Sequence, residues 1–139
     1  MKKRSISSDT IAVFSFPLPS PSNYALLANL VTILSHVYSR AIIVTGNFIS
    51  TLPHVIDDLR LANKSNILIY DLRAKLPVRD KYVPLTIKLL TYIKIQLNLI
   101  AATIKLCNMF EIALLFIGIP HMLPIILLLR LMRKRIIVY

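Results

Sequence analysis

The stretch EIALLFIGIPHMLPIILLLRLMRKRIIVY, residues 111–139, holds two short apolar runs with a longer one between them. The first run, 111–119, and the last, 135–139, have the length of buried strands, and the last is rich in β-branched residues. Between them, 121–135 is long enough for a helix. This order predicts a βαβ unit, in which two parallel strands are joined by a helix.

A single membrane span at 112–132 is the alternative for the same stretch. Residues 112–129 carry no charged side chain, close to the minimum of about 18 residues that cross a bilayer. The basic residues from Arg130 onward resemble the flanking charges of a span. However, Gly118, Pro120 and Pro124 would break a helix in the middle, and each half alone is too short. The βαβ unit is favoured, with Pro124 in the first turn of its helix.

The rest of the chain repeats the alternation of strand and helix. Apolar runs at 11–16, 41–47 and 66–72 predict three further strands, the first of which ends at Pro17. Apolar residues at three- and four-residue steps predict helices over about 23–38 and 83–107, and 48–64 is weakly helical. The second helix is apolar on two faces, so it packs on both sides or lies against lipid, but its lysines make it a poor membrane span.

These elements predict an α/β fold, a Rossmann-like parallel sheet of about five strands with flanking helices. We expect a basic tail at 1–10 and one domain at 11–139.

Composition narrows the class of protein. The chain has a formal net charge of +11, 56% hydrophobic residues and a mean hydropathy of +0.69. A basic and apolar chain favours an anionic membrane surface as partner, and no nucleic-acid motif is present. Cys107 is the single cysteine, so an intrachain disulfide is impossible. Because no signal peptide is clear, we expect a cytoplasmic protein, peripheral to the inner face of the membrane.

Two segments carry a family resemblance. IAVFSFPLPSPSN with LANLVTILSHVYSRAIIVTGN, and then FEIALLFIGIPHMLPIILLLRLMRKRIIVY, resemble the N-terminal, acceptor-binding domain of GT-B-type, family 4-like glycosyltransferases. The resemblance implies sugar transfer from a nucleotide-sugar to a lipid-linked or polysaccharide acceptor. It also implies that the C-terminal domain, which binds the donor, is missing or separate, so that the chain is truncated or half of a split enzyme.

The sequence departs from that family at the first loop. Pro17, Pro19 and Pro21 stand where many members have a glycine pair that approaches the donor phosphates, which argues against donor contact here. A non-catalytic, membrane-anchoring subunit of a two-part glycosyltransferase is the second interpretation.

Ligands of parallel α/β sheets bind beyond the carboxyl ends of the strands. His121 lies in such a position, where an imidazole can hydrogen-bond a sugar hydroxyl or act as a base; a structural histidine at a helix start is the alternative. Residues in the same loops are candidate substrate-binding residues, with helix capping and turn formation as their alternative roles. They are Ser20, Ser22, Asn23, Gly46, Asn47 and Gly118.

Other clusters have simpler explanations. Asp57 and Asp58 point about 100° apart if helical, so we predict no metal site, and no cofactor is expected. Arg130, Arg133, Lys134 and Arg135 are predicted to face anionic headgroups. Their alternative role is to end a helix favourably with respect to its dipole.

Overall fold

The computed structural model of the protein describes residues 9–16, 21–46, 66–72, 83–116 and 119–139, and the side chains of 21–24 and 119–120 are not described. The weak helix expected at 48–64 lies outside these ranges. The strands are β1 (Thr10–Ser15), β2 (Arg40–Thr45), β3 (Ile67–Asp71), β4 (Ile112–Phe116) and β5 (Arg135–Val138). The helices are α1 (Pro21–Val37), α2 (Leu85–Leu106) and α3 (Ile119–Leu131), with one 3-10 turn at Cys107–Met109.

The five strands form one parallel sheet in the order β3-β2-β1-β4-β5. β1 lies at the centre, and all six of its residues are buried. A strand with helices above and below must be apolar on both sides, which is why it appears in the sequence as a continuous apolar run. The predicted α/β sheet of five strands is confirmed.

The helices lie on both sides of this sheet. α1 packs on one side through Leu27, Ala28 and Val31. α2 and α3 pack together on the other side. Ile95 and Leu99 of α2 are buried there together with apolar residues of α3. Connections between parallel strands are right-handed crossovers. From β1 the chain moves across the sheet towards β2 and β3, whereas it moves in the opposite direction to reach β4 and β5. The helices that precede and follow β4 therefore lie on the side of the sheet opposite α1.

The βαβ unit of residues 111–139 is confirmed, and the described part of 112–132 forms a strand and a separate helix rather than one long helix. Residues 112–116 form β4, which is paired on both sides by β1 and β5. α3 has 13 residues and is therefore about 20 Å long, shorter than the hydrocarbon layer of about 30 Å.

The predicted start of α3 is wrong. The helix begins at Ile119, so Pro120 rather than Pro124 occupies its first turn and Pro124 lies inside it. A proline in the first turn removes an N–H that would be unpaired in any case. Pro124 removes one i→i−4 hydrogen bond near the start of the helix, and the burial of Met122, Ile125 and Leu129 on the sheet holds the helix across that position.

Candidate functional site

The centre of the sheet is a topological switch point. From β1 the chain passes to β2 and β3 on one side, whereas β4 and β5 lie on the other side of β1. Chain segments leaving β1 and β4 therefore diverge at the carboxyl edge of the sheet, and a crevice between them is where open α/β sheets bind ligands. Residues 17–20 and 117–118 of this edge lie outside the described ranges, so the site is built here from Phe16 and the helices around it.

Three rings meet at the switch point. The Phe16 and His121 rings stack with centroids 5.2 Å apart and an interplanar angle of 27°. Tyr92 of α2 is 5.7 Å from each of them, edge-on to His121 and tilted against Phe16. Phe16 is buried, Tyr92 is half-buried and His121 is exposed. This aromatic cluster thus runs from the core at Phe16 to the surface at His121.

Gln96 fixes the first turn of α3 beneath the aromatic cluster. Its side-chain Nε2 donates a hydrogen bond to the backbone oxygen of His121. The side chain is buried, and its Oε1 has no hydrogen-bond partner. A buried amide oxygen without a partner carries a free-energy cost. The side chain therefore makes its hydrogen bond to α3 through Nε2 while Oε1 stays unpaired. The His121 backbone is held, whereas its ring remains at the surface.

His121 therefore occupies the edge that the sequence predicted for it. The described part of the chain places three side-chain carboxyl groups: Asp9 and Glu111, which precede β1 and β4, and Asp71 at the end of β3. The first two lie at the amino edge, and Asp71 is three strands away from β4. The described contacts of the imidazole are to aromatic rings. Among the described residues, the ring of His121 thus contacts aromatic rings and no carboxylate.

The predicted substrate-binding residues are only partly placed. Ser20, Asn47 and Gly118 lie outside the described ranges. Ser22 and Asn23 belong to the first turn of α1, and Gly46 is buried directly after β2. These three backbone positions reach the carboxyl edge of the sheet, as predicted from the loop argument.

A second polar group at this edge was missed by the sequence analysis. The Thr45 hydroxyl is fully buried and has no hydrogen-bond partner, and Thr45 pairs in register with Asp71. An open pocket of about 380 Å³ at the end of β3 is lined by Asp71, Leu72 and Asn98 among others. A polar residue that ends an apolar run was the available signal, since both Thr45 and Asp71 are the last residues of their strands.

The four basic residues grouped by the sequence do not share one environment. Lys134 is turned inward: its ammonium donates to the backbone oxygens of Cys107 and Phe110 and lies 5.1 Å from the centre of the Phe110 ring. Arg130, Arg133 and Arg135 are exposed. Lys134 thus ties the end of α2 to the start of β5, so it does not share the exposed position of the three arginines.

Arg133 ends α3. Its φ is 56°, and the backbone N–H groups of Arg133 and Lys134 bond to the oxygens of Arg130 and Leu129. This is the Schellman pattern, whose left-handed position glycine usually occupies. Since α3 runs from the carboxyl edge of the sheet to the amino edge, its basic end lies about 20 Å from the aromatic cluster. The two cannot hold the same small ligand.

Comparisons with protein-family models, with curated proteins and with solved structures find no match to this chain. In the described residues, no three His, Cys, Asp or Glu side chains come together in a group that could hold a metal ion. Leu85–Met109 is the one described segment that is long and apolar enough to cross a membrane, and 28% of its most apolar window is buried in the protein.

Proposed function

We propose that the chain is the acceptor-side domain of a GT-B-type glycosyltransferase at a membrane face. It takes part in sugar transfer from a nucleotide-sugar to a lipid-linked or polysaccharide acceptor. A donor-binding domain outside these residues holds the nucleotide-sugar. The observation that carries the proposal is the aromatic cluster of Phe16, Tyr92 and His121 at the switch point of a Rossmann-like sheet.

The chemistry of the cluster suits a carbohydrate acceptor. A sugar ring has an apolar face of C–H groups, which pack against aromatic rings, while its hydroxyls need hydrogen-bond partners. Tyr92 and His121 supply both, since each has a ring and a polar atom. In the proposed reaction the His121 imidazole takes the proton of the acceptor hydroxyl as that oxygen bonds to the anomeric carbon and the nucleoside diphosphate leaves.

Acceptor binding tests the proposal directly. The probe is farnesyl-diphosphate-linked N-acetylglucosamine, observed by saturation-transfer NMR on the full chain. We expect the sugar protons to receive magnetisation, and we expect Tyr92→Ala to lower the affinity about tenfold, because stacking and burial together contribute a little over 1 kcal/mol.

The matched control is Tyr38→Ala. Tyr38 is also half-buried, but it follows α1 at the amino edge of the sheet. The control should bind the probe as well as the unchanged protein does. Absence of sugar contact, or equal loss in both variants, would contradict the proposed site.

A third variant distinguishes the two proposed roles of His121, ring stacking and proton acceptance. His121→Phe keeps a ring beside Phe16 but removes the proton acceptor. We expect probe binding to persist and sugar transfer to fail when the donor-binding partner is added. Without a partner the chain should transfer no sugar. Turnover by the purified 139 residues alone would contradict the proposal that a separate domain binds the donor.

A non-catalytic, membrane-anchoring subunit is the second candidate. The exposed apolar residues of α2, such as Leu90 and Leu97, favour it, because they are a surface for docking rather than chemistry. In that case Tyr92→Ala and His121→Phe leave the activity of the assembled pair unchanged, whereas the chain is still needed to bring the partner to the membrane.

A further inference from the structure

The α2–α3 layer has an apolar surface on the side away from the sheet. Leu97 lies about 200° around the helix from Leu99, which is buried on the sheet. The members of this outer face are exposed by 44% to 83%, and they are Leu90, Ile93, Leu97 and Ile104 of α2 with Leu127 and Leu131 of α3. Exposed apolar area of this extent on adjacent helices marks a docking surface.

The charges of the same layer identify what docks there. α2 and α3 carry no Asp or Glu. Two exposed basic side chains, Lys94 of α2 and Arg130 of α3, border the outer face. Lys88 lies about 200° around the helix from Leu90, and the Lys105 ammonium lies 5.4 Å from the centre of the Tyr70 ring. A partner must therefore offer apolar groups together with negative charge, as an anionic lipid surface does.

Two other occupants fit less well. A second copy would place the lysines of one α2 against those of another, in a chain that already carries a net charge of +11, and like charges at close range oppose association. A transmembrane position for α2 would pull Ile95, Leu99, Ala102 and Leu106 out of the core of the sheet.

We infer that α2 and α3 lie flat on an anionic phospholipid bilayer, with the outer face in the boundary between headgroups and acyl chains. Lys94 and Arg130 contact lipid phosphates from the rim of that face. This inference rests on the membrane-face part of the proposed function and adds the surface, the class of lipid and the orientation. Since α3 begins at the switch point, its first turn and the aromatic cluster would lie near the level of lipid headgroups.

Vesicle co-sedimentation tests the inference with variants of matched exposure. We expect the chain to bind phosphatidylcholine vesicles that contain phosphatidylglycerol and to bind pure phosphatidylcholine much more weakly. Leu97→Glu should lower binding tenfold or more, because it removes apolar contact and adds a negative charge beside lipid phosphates. Lys94→Gln should lower it about fivefold.

The control is Ile33→Glu on α1. Ile33 is exposed by 63% and Leu97 by 59%, so both variants place a carboxylate at a solvent-facing helix position, but on opposite sides of the sheet. The control should keep full vesicle binding, and circular dichroism should show both variants folded. A second pair, Leu127→Glu and Val37→Glu, each at 67% exposure, repeats the comparison on α3.

Several outcomes would overturn the inference. They are absence of vesicle binding, equal loss in Leu97→Glu and Ile33→Glu, or equal binding to neutral and anionic vesicles. Retention in the pellet after carbonate extraction would show a span instead. Dimers in solution that Leu97→Glu dissociates would show that the outer face binds a second copy. Vesicle binding without sugar binding would contradict the glycosyltransferase proposal alone. Sugar binding without vesicle binding would contradict this inference alone.

Discussion

α1 and the α2–α3 layer cover opposite sides of one sheet, and both leave large apolar side chains exposed. α1 exposes Leu26, Ile33 and Val37, yet it contains no Asp, Glu, Lys or Arg. The α2–α3 layer places two exposed basic groups, Lys94 and Arg130, beside its apolar surface. The difference teaches that apolar exposure alone does not identify a lipid-binding surface. Charge of one sign on the same face gives it a preference for anionic partners, and α1 lacks that preference.

The largest expected effect separates the two apolar faces of α2. Leu99→Ala removes a fully buried side chain and should lower the free energy of unfolding by about 3 kcal/mol, through lost burial and a residual cavity. Leu97→Ala, two residues away on the outer face, should change it by less than about 0.5 kcal/mol. Urea denaturation followed by circular dichroism measures both. Similar costs at the two positions would mean that the outer face is packed in solution.

The inward turn of Lys134 is expected to give the next largest effect. Lys134→Met keeps an apolar stem beside the Phe110 ring but removes the donor to two backbone oxygens. We expect a loss of about 2 kcal/mol in the free energy of unfolding, the usual scale for hydrogen bonds to a charged group.

Lys94→Met is the control for this change, since Lys94 is an exposed lysine of the same layer. It should leave stability nearly unchanged and weaken binding to anionic vesicles. The reverse pattern, with Lys134 affecting vesicles and Lys94 affecting stability, would contradict the assignment of the two lysines.

A smaller effect of opposite sign is expected on the α1 side of the sheet. Strand alternation places Thr45 on the same side as Ala41 and Ile43, which pack in the α1 cluster. Its buried hydroxyl has no partner, so Thr45→Val should raise the free energy of unfolding by about 1 kcal/mol. Thr45→Ser is the control, because it keeps the hydroxyl and should not stabilise. A stability loss in Thr45→Val would show that the hydroxyl is satisfied in solution.

The smallest expected effect lies at the end of α3. Arg133→Gly relieves a left-handed backbone position and should stabilise the protein by about 0.5–1 kcal/mol. Arg133→Ala keeps the conformational cost, so the difference between the two variants isolates the backbone term from the lost charge. Thermal unfolding of the pair measures it, and equal melting temperatures would argue against the Schellman geometry.

The sequence predicted the strands and helices well because local patterns carry that information. The helix expected at 83–107 spans Leu85–Leu106, and the last strand expected at 135–139 spans Arg135–Val138. The start of α3 was misplaced because Pro120 and Pro124 are both compatible with the first turn of a helix. Periodicity could not choose between them, whereas the structure begins the helix at Ile119 and buries Met122 in the core.

The candidate site was predicted only by its position. The expectation that His121 lies at a strand-end edge depends on the order of elements, which the sequence shows. Its ring contacts with Phe16 and Tyr92, 105 and 29 residues away in the chain, depend on which helix packs beside which strand. Thr45 and Gln96 were missed for a related reason, because a buried polar atom without a partner can be recognised only once the surrounding groups are placed.

The sequence by itself determined the alternation of apolar strands and helices, the excess of positive charge and the presence of two apolar faces on α2. These follow from residue types and their period. Only the tertiary structure decided which face of α2 is buried, that Lys134 turns inward while Arg130 does not, and that three distant rings meet at the switch point. The physical reason is that a pattern specifies how much apolar surface a segment must bury, whereas the partner that buries it is chosen by sheet order and crossover handedness.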